Sequence, residues 1–495
     1  MNATCPPALW TAAEILAATG GQGSMVGQAD FVADGVAFDT RTLAPGDLFF
    51  ALAGENRDGH DFVAEALAKG AAASVVARMP PDVPASAPLV WVEDTGAALM
   101  HLARAARARF TGTVFAITGS VGKTTTKEAL RHALEAYGPV HASPKSFNNA
   151  IGVPVTLAEA PRGTQFLVAE IGMNQPGEIA PLSRLARPHV ALITAIEPVH
   201  IGHLGTMGRI AAEKAELFAG LDDGGTAIVP ADSAHVGLLM RRAEDSGADR
   251  ILTFGERPSH ARLVSFRGDA EGSDVEVDLL ARRLRFHIGA PGRHIAMNIT
   301  AVLAALAAAG LDPAPAAARM ESFRAVSGRG AQRVIATGNG QALLLDESYN
   351  ASVPSVRAAL SVLAMLPAKR RIAVLGDMLE LGDHGPSMHE ELAEAAADAA
   401  DLVFTCGPLM QLLHRALPEA KRGAHAATAE ALAPLVKARL RDGDAVMVKG
   451  SLGMRMAAVV RALVGDAGRV GDPGTVGDRG TVGDRGRVGD PGRSG

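Results

Sequence analysis

Residues 113 to 126 read Thr113-Val-Phe-Ala-Ile-Thr-Gly-Ser-Val-Gly-Lys-Thr-Thr-Thr126. A short apolar run leads into a glycine turn, and a lysine with three threonines opens the next helix. Gly119 and Gly122 let the backbone curl so that its N–H groups face inward. A helix beginning near Lys123 adds the positive end of its dipole. Lys123 can reach terminal phosphates, and the Thr124 hydroxyl can hold Mg²⁺. Gly119, Ser120, Val121, Gly122, Lys123, Thr124 and Thr125 together read as a cradle for a nucleoside triphosphate, with ATP and Mg²⁺ as the expected ligands. The pattern is the shorter TGxxGKTT, because Ile117 stands where the first glycine of the longer GxxxxGK[ST] form would fall. The competing reading is a glycine-rich connector whose lysine is merely solvated.

The length of 495 residues suggests about three domains of ordinary size. Net charge is −5 with no long basic run, so nothing points to nucleic acid or an anionic membrane. Aromatic residues make up 4 %, too few for a base-stacking surface. Cys5 and Cys406 are the only cysteines, which argues against a disulfide framework and a cysteine-built zinc site. The N-terminus has no charged region followed by an apolar core, and the Ala-rich 300–310 segment is broken by Gly310 and Pro313. A cytoplasmic, soluble chain without a membrane span is expected.

Strand, loop and helix signals divide the chain. Residues 1–110 form a first α/β unit, with a helix-like stretch from Trp10 to Ala18, a strand from Leu48 to Leu52 and an amphipathic helix from Asp61 to Lys69. Residues 111–327 form a central unit, with strands at 113–118, 166–171, 190–196 and 226–229 and helices at 123–136, 208–219 and 295–309. Such alternation predicts a mostly parallel α/β sheet. Segments 251–254, 261–266, 274–280 and 283–288 read as β-hairpins. Gly328 to Gly330 is a plausible hinge. Beyond it, 328–463 reads as a second βα repeat, with strands at 342–346, 371–376, 402–406 and 445–449. It resembles a dinucleotide-binding fold in outline but has no GxGxxG. The tail, 464–495, repeats a Val-Gly-Asp hexad. Glycine is not at every third place, which excludes collagen, and one apolar residue per hexad builds no core, so disorder is expected.

Ligands in open α/β sheets sit beyond the C-terminal ends of strands. Glu170 closes one strand there and can hold Mg²⁺ opposite Thr124. His200 follows another, although with His203 it makes only a weak zinc pattern, and a plain loop histidine reads as well. Lys214, between Glu213 and Glu216, reads as an ordinary, partly exposed lysine. Asn148 and Asn149 could bind a substrate or make Asx turns. In the last third, Asp346 to Asn350, Asp377 and Lys449 lie at three strand ends. Together they suggest a site for a zwitterion or a nucleotide, while each alone could be a helix cap.

These motifs, in this order over about residues 30 to 460, resemble the Mur ligases, the ATP-dependent amide-bond ligases of peptidoglycan synthesis. The segments that carry the resemblance are Asp39-Thr-Arg-Thr, Pro45-Gly-Asp-Leu-Phe-Phe, Thr118 to Thr125, Ser146 to Pro154, Ala169 to Met173, Thr194 to His200, Ala212 to Phe218, Pro291 to Asn298, Asp346 to Ala351 and Leu375 to Gly382. The last two are characteristic of the branch that adds D-alanyl-D-alanine to a UDP-N-acetylmuramoyl-tripeptide, and the Asp-Asn-Pro-Arg of the diaminopimelate-adding branch is absent.

The resemblance implies a UDP-sugar-binding first domain, a P-loop ATPase domain and a Rossmann-like acceptor domain in a monomer. It implies that Lys123 and Thr124 meet the γ-phosphate and Mg²⁺, and that Glu170 and His200 complete the metal sites. Lys214 matches a family lysine that can be carbamylated into a metal-bridging anion, so Lys123, His200 and Lys214 become the catalytic candidates. Asn298 would contact adenine, while Arg329 and Asp346 would serve the nucleotide. Thr40 and Arg41 would touch the UDP-sugar, and Asn148, Asn149, Asn350 and Asp377 would line substrate. Pro230, Ser352 and Ile295 depart from the residues usual at their places. The rival readings are a Mur-type ligase of another amino acid, a folate-extending ligase, a P-loop ATPase that forms no bond, and a nucleotide-gated scaffold.

Overall fold

The strand Thr113–Thr118 lies inside a nine-stranded sheet. The computed structural model describes residues 8–19, 24–26, 30–54, 57–80, 82–84, 86–144, 146–199 and 201–465. Cys5, His200, the His203 side chain and the repeat tail beyond Gly465 fall outside the described residues. Across the central sheet the strands run Arg282–Ile288, Ser273–Leu279, Ala261–Gly268, Arg250–Gly255, Thr226–Pro230, Val190–Ile193, Thr113–Thr118, Phe166–Glu170 and Val140–Ala142. All neighbours from Val140 to Ala261 are parallel. Register pairs Glu170 with Ile117 and Ile193 with Thr118, so three strands end level with the glycine turn.

Both faces of this sheet are covered, so its strands are apolar without alternation. On one face the helices Lys123–Leu134 and Arg293–Ala308 bury Leu130, Leu134, Ile299 and Leu303 against Phe115, Ile117 and Val168. On the other, helices Gly152–Ala158, Ile179–Ala186 and Met207–Ala215 bury Val153, Leu182 and Ile210 against Val114, Ala116 and Ala169. Each such side chain contributes about 1.5–3 kcal/mol. The Ala-rich helix Arg293–Ala308 is apolar because it is sandwiched here. No helix among the described residues is long and apolar enough to cross a membrane.

The expectation of hairpins from 251 to 288 holds only from Ala261 onward. Arg250–Gly255 runs parallel to Thr226–Pro230 along five residue pairs, and parallel to Ala261–Gly268 through Phe254–Ala261 and Gly255–Arg262. The bend between them does not reverse the chain. Asp232 accepts from the Glu256 and Arg257 N–H groups at 2.7 and 3.0 Å, and the chain steps sideways into the next strand. True antiparallel pairing follows, from Ala261–Gly268 to Ser273–Leu279 to Arg282–Ile288.

The first unit is a five-stranded sheet in the order Ser24–Val26, Leu89–Trp91, Ala73–Val76, Asp47–Phe50, Gly35–Ala37. The helix expected from Trp10 begins at Ala12, where Thr11 and Glu14 form a capping box, and Trp10–Thr11 pairs with Val32–Ala33 as a short strand. Asp61 belongs to a 3₁₀ turn, Gly59–Phe62, ahead of the helix Val63–Ala68. Trp10 ties this unit to the central one: its Nε1 donates to Ala158 O at 2.9 Å, and Arg109 lies 3.7 Å over its ring. Arg107 extends the joint by donating to Ala186 O and Arg187 O, both at 2.7 Å.

The last unit is a six-stranded sheet ordered Ala331–Thr337, Gly340–Glu347, Asp444–Lys449, Arg370–Gly376, Leu402–Cys406, Arg422–Ala426. Only its first strand is antiparallel. The ends of Gly340–Glu347, Asp444–Lys449 and Arg370–Gly376 therefore sit side by side.

At the joint between the first and central units, burial pushes the half-buried Glu159 carboxyl up to about 7, and the Asp47 carboxylate adds to the rise. The folded state then holds this proton more tightly than the unfolded chain, whose ordinary value is 4.5. Stability should fall as pH climbs between these values and level off above about 7. Glu159→Gln removes that contribution. Urea denaturation should show the variant more stable than the parent at alkaline pH and nearly equal to it in mild acid.

Candidate active site

The glycine turn owes its shape to its neighbour. Gly119 and Gly122 have φ of 148° and 84°. A Cβ on Gly119 would come 2.0 Å from Thr194 Oγ1, and one on Gly122 would come 2.9 Å from Asn298 Oδ1. Thr194, one residue beyond the strand Val190–Ile193, donates its hydroxyl to Val121 O at 2.6 Å. The Ser120 amide donates to Ala195 O at 2.8 Å, and Ser120 Oγ both donates to Glu197 O and accepts from Glu197 N. The loop is thus fastened along one side by residues 194–197. Lys123 Nζ curls back onto Gly119 O at 2.7 Å. Burial lowers its pKa, the Glu170 carboxylate opposes that, and the Arg329 guanidinium adds to it.

Beneath the loop lies a buried chain of polar contacts. Thr124 Oγ1 donates to Glu170 Oε2 at 2.9 Å, and Asn148 Nδ2 donates to Glu170 Oε1 at 2.8 Å. Glu170 is 1 % exposed. A hydroxyl and a carboxylate that share a buried spot under a phosphate loop are hard oxygen donors, and they suit Mg²⁺ completed by phosphate and water. Among the described residues no group of three or more His, Cys, Asp or Glu side chains could hold a metal on its own.

Lys214 is not the partly exposed lysine that its neighbours in sequence suggest. It is 2 % exposed and makes no hydrogen bond among the described residues. Burial drives its pKa well below the ordinary value and the Lys123 charge pushes the same way, against Glu213 and Glu178. Burial thus favours the neutral form of the amine, which is its nucleophilic form.

The other expected residues separate into two groups. Asn298 covers Gly122 from the helix Arg293–Ala308, and Arg329 reaches in from the glycine hinge. Arg329 donates to Ser146 Oγ at 3.3 Å and stacks 4.1 Å over the Tyr349 ring. Asn298 therefore stands at the loop, and Arg329 stands near it, where its charge acts on Lys123. Asn149 instead accepts from the Ile151 and Gly152 N–H groups, an Asx turn that starts a helix. Asp346 accepts from Ser327 Oγ, Gly328 N and both Ser348 donors, at 2.6–3.2 Å. Its carboxylate pins the hinge. Asp377 accepts from Leu409 N and Met410 N and caps the helix Met410–Ala416. The exposed Asn350 offers its carbonyl to Lys449 Nζ at 2.9 Å, and Lys449 pairs with Glu347 at 3.3 Å. Thr40 and Arg41 belong to the first unit, where Lys69 Nζ donates to Thr40 O and Arg41 pairs with Asp39.

Thr194, Glu197, Ser146 and Tyr349 were not singled out from sequence as site residues. All four lie in segments that carry the resemblance, and Thr194 and Glu197 also follow a strand end.

Three family models match in chain order: the Mur ligase family catalytic domain at residues 33–107, the Mur ligase middle domain at 117–306, and the Mur ligase glutamate ligase domain at 328–452. A UDP-N-acetylmuramoyl-tripeptide–D-alanyl-D-alanine ligase of Synechocystis is 35 % identical over 88 % of this chain and 93 % of its own length. The chain belongs to the Mur ligase family. Among solved structures, MurF from Acinetobacter baumannii superposes with a TM-score of 0.79 at 28 % identity, covering 92 % of this chain and 98 % of that one. A Thermotoga maritima MurF ligase in complex with ADP gives 0.73 at 27 % identity, covering 87 % and 97 %. The glycine turn of this Mur ligase opens the segment matched by the middle-domain model, and the pinned hinge opens the segment matched by the glutamate ligase model.

Asp346→Ala would strand four donors in a largely buried turn. It should lower stability by about 2–3 kcal/mol and expose the Ser327–Arg329 segment to protease. Thermal unfolding and limited proteolysis would show both.

Proposed function

We propose that this Mur ligase joins D-alanyl-D-alanine to a UDP-N-acetylmuramoyl-tripeptide at the cost of ATP, as a cytoplasmic monomer in peptidoglycan precursor synthesis. The observation that carries this reading is the junction above the glycine turn. Arg329 donates to Ser146 of the central unit at 3.3 Å and lies near enough for its charge to act on Lys123, and Gly202 of the central unit donates to Glu380 O of the last unit at 3.2 Å. These contacts hold the 327–330 turn and a strand-end loop of the last sheet against the central unit. The named relatives, matched over most of both chains, support this choice of substrates.

The γ-phosphoryl group of ATP passes to the terminal carboxylate of the tripeptide, leaving ADP and an acyl phosphate. The dipeptide amine then attacks the acyl carbon. The C–N bond forms, the C–O bond to phosphate breaks, and the amine gives up its proton. Lys123 would leave its own loop carbonyls to follow the negative charge on the moving phosphoryl group. The N–H groups of Gly119, Val121 and Gly122, in a loop fastened by residues 194–197, would cradle the phosphates. Thr124 and Glu170 would hold Mg²⁺, which screens the phosphate charge when bound. Asn298 and Arg329 would flank the nucleotide, and Thr40 and Arg41 would meet the UDP-sugar. Closure of the three units around one cleft would keep water from the acyl phosphate.

Lys214 supports the same reading. A neutral amine can take up CO₂, release a proton and become a carbamate, which replaces a cation beside Lys123 with an anion. His200 would stand near the same metal site.

ADP release should require both the UDP-muramoyl tripeptide and D-alanyl-D-alanine. Turnover without the dipeptide would instead favour an ATPase, and no turnover a scaffold. Lys123→Ala should abolish ADP formation, and retained ligation would sink the phosphate-loop assignment. Lys214→Met should abolish ligation while raising the melting temperature, because it removes a buried amine whose charged form burial disfavours. Added bicarbonate should stimulate the parent enzyme and leave the variant unaffected.

A further inference from the structure

Consecutive side chains of the segment that begins at Ser146 face three different units. Ser146 Oγ accepts from Arg329 of the last unit at 3.3 Å. Phe147 packs on Phe38 of the first unit, with ring centroids 5.5 Å apart and planes tilted by 50°. Asn148 turns into the central unit, where its Nδ2 donates to Glu170 Oε1 at 2.8 Å.

The segment is fastened at several points. Phe147 N donates to Pro144 O at 3.2 Å, and Gly172 N donates to Asn148 O at 2.7 Å. The Asx turn of Asn149 folds the chain into the helix Gly152–Ala158. Gly152 then lies so close that a Cβ on it would come 2.6 Å from Phe147 Cα. A tilt of Phe147 in so tight a turn is passed to its neighbour Asn148. An aromatic pair at a joint can be core packing and no more, and both rings do lie against the apolar cluster of the first unit. Each ring, however, adjoins a group with work to do. Phe38 directly precedes Asp39-Thr40-Arg41, and Phe147 directly precedes the amide that holds Glu170.

We propose that Phe147 is a positioning residue, through which occupancy of the UDP-sugar site at Thr40 and Arg41 settles Asn148 on Glu170 and so strengthens nucleotide and Mg²⁺ binding. This rests on the ligase reading above. A ligand that orders residues 38–41 fixes the Phe38 ring against Phe147. Asn148 then keeps one Glu170 oxygen, and the other stays turned to Thr124. By linkage, the nucleotide strengthens binding of the UDP-sugar by the same factor.

Calorimetric titration of the full chain tests this. A non-hydrolysable ATP analogue with Mg²⁺ is titrated with and without saturating UDP-N-acetylmuramoyl-tripeptide. In the parent the tripeptide should lower the Kd for the analogue about fivefold or more. Phe147→Ala should shrink that factor to less than about twofold. A merely structural role would shift the melting temperature and both Kd values and leave their ratio intact. Phe38→Ala should give the same loss, the double variant should lose no more than either single one, and Phe147→Leu should recover part of the factor. Phe38→Ala leaves the 146–154 segment unaltered, so it carries the test where Phe147→Ala does not fold. A Phe147→Ala variant that keeps the parent's factor, or a parent that binds both ligands with no mutual effect, overturns the assignment to Phe147 and leaves the ligase reading standing. A parent that does not bind the UDP-muramoyl tripeptide overturns both.

Discussion

A loop that offers bare N–H groups to a polyphosphate cannot also satisfy them internally, so its shape must be imposed from outside. In this protein residues 194–197 impose it. Thr194 holds the Val121 carbonyl, and Ala195 and Glu197 hold Ser120 by its amide and its hydroxyl. The contact exists because the strands Thr113–Thr118 and Val190–Ile193 are paired in a register that ends them together. The anion site is therefore a property of two adjacent parallel strands, and the glycines permit a shape that the neighbour enforces.

The same register brings the chemistry together. Glu170 ends its strand level with the loop and takes hydrogen bonds from Thr124 and Asn148, so one buried carboxylate ties the first turn of the phosphate helix to the 146–154 segment. Lys214 arrives from a helix on the opposite face and is buried without a hydrogen-bonding partner among the described residues. A protein seldom keeps a buried amine that stability would replace with a thioether or an alkyl chain. Its presence beside the phosphate lysine is intelligible if the amine is converted during the working life of the enzyme.

Arg329 and Asp346 divide the work of the hinge. Asp346 spends its hydrogen-bonding capacity within the last unit, holding Gly328 in a left-handed turn, and this leaves Arg329 to cross to Ser146 of the central unit. The last unit also meets the central unit at Gly202 and Glu380, and at Gln332, whose Nε2 donates to Ala270 O. These contacts, spread along the seam, set how the last sheet faces the phosphate loop.

Local patterns in the sequence determined much of this. The apolar run, the glycine turn and the lysine–threonine helix start are all set by neighbours a few residues apart, and so are the βα repeats. Glu170 reads from sequence as a strand-end carboxylate, and the hydrogen bond from Thr124 places it under the loop. Tertiary structure alone decided the rest. The step at Asp232 turned an expected hairpin into a parallel strand, because a side chain 24 residues away holds the bend. Lys214 reads as a surface lysine between two glutamates until the packing of Met207–Ala215 buries it, since burial is a property of the helix's neighbours. Asp346 and Asp377 read as ligand carboxylates, and only the placement of Gly328 and of the helix Met410–Ala416 turned them into a turn pin and a helix cap. Composition and spacing name the groups that can do chemistry. Which of them keep their hydrogen-bonding capacity for a ligand depends on partners that are distant in the chain, and folding alone supplies those.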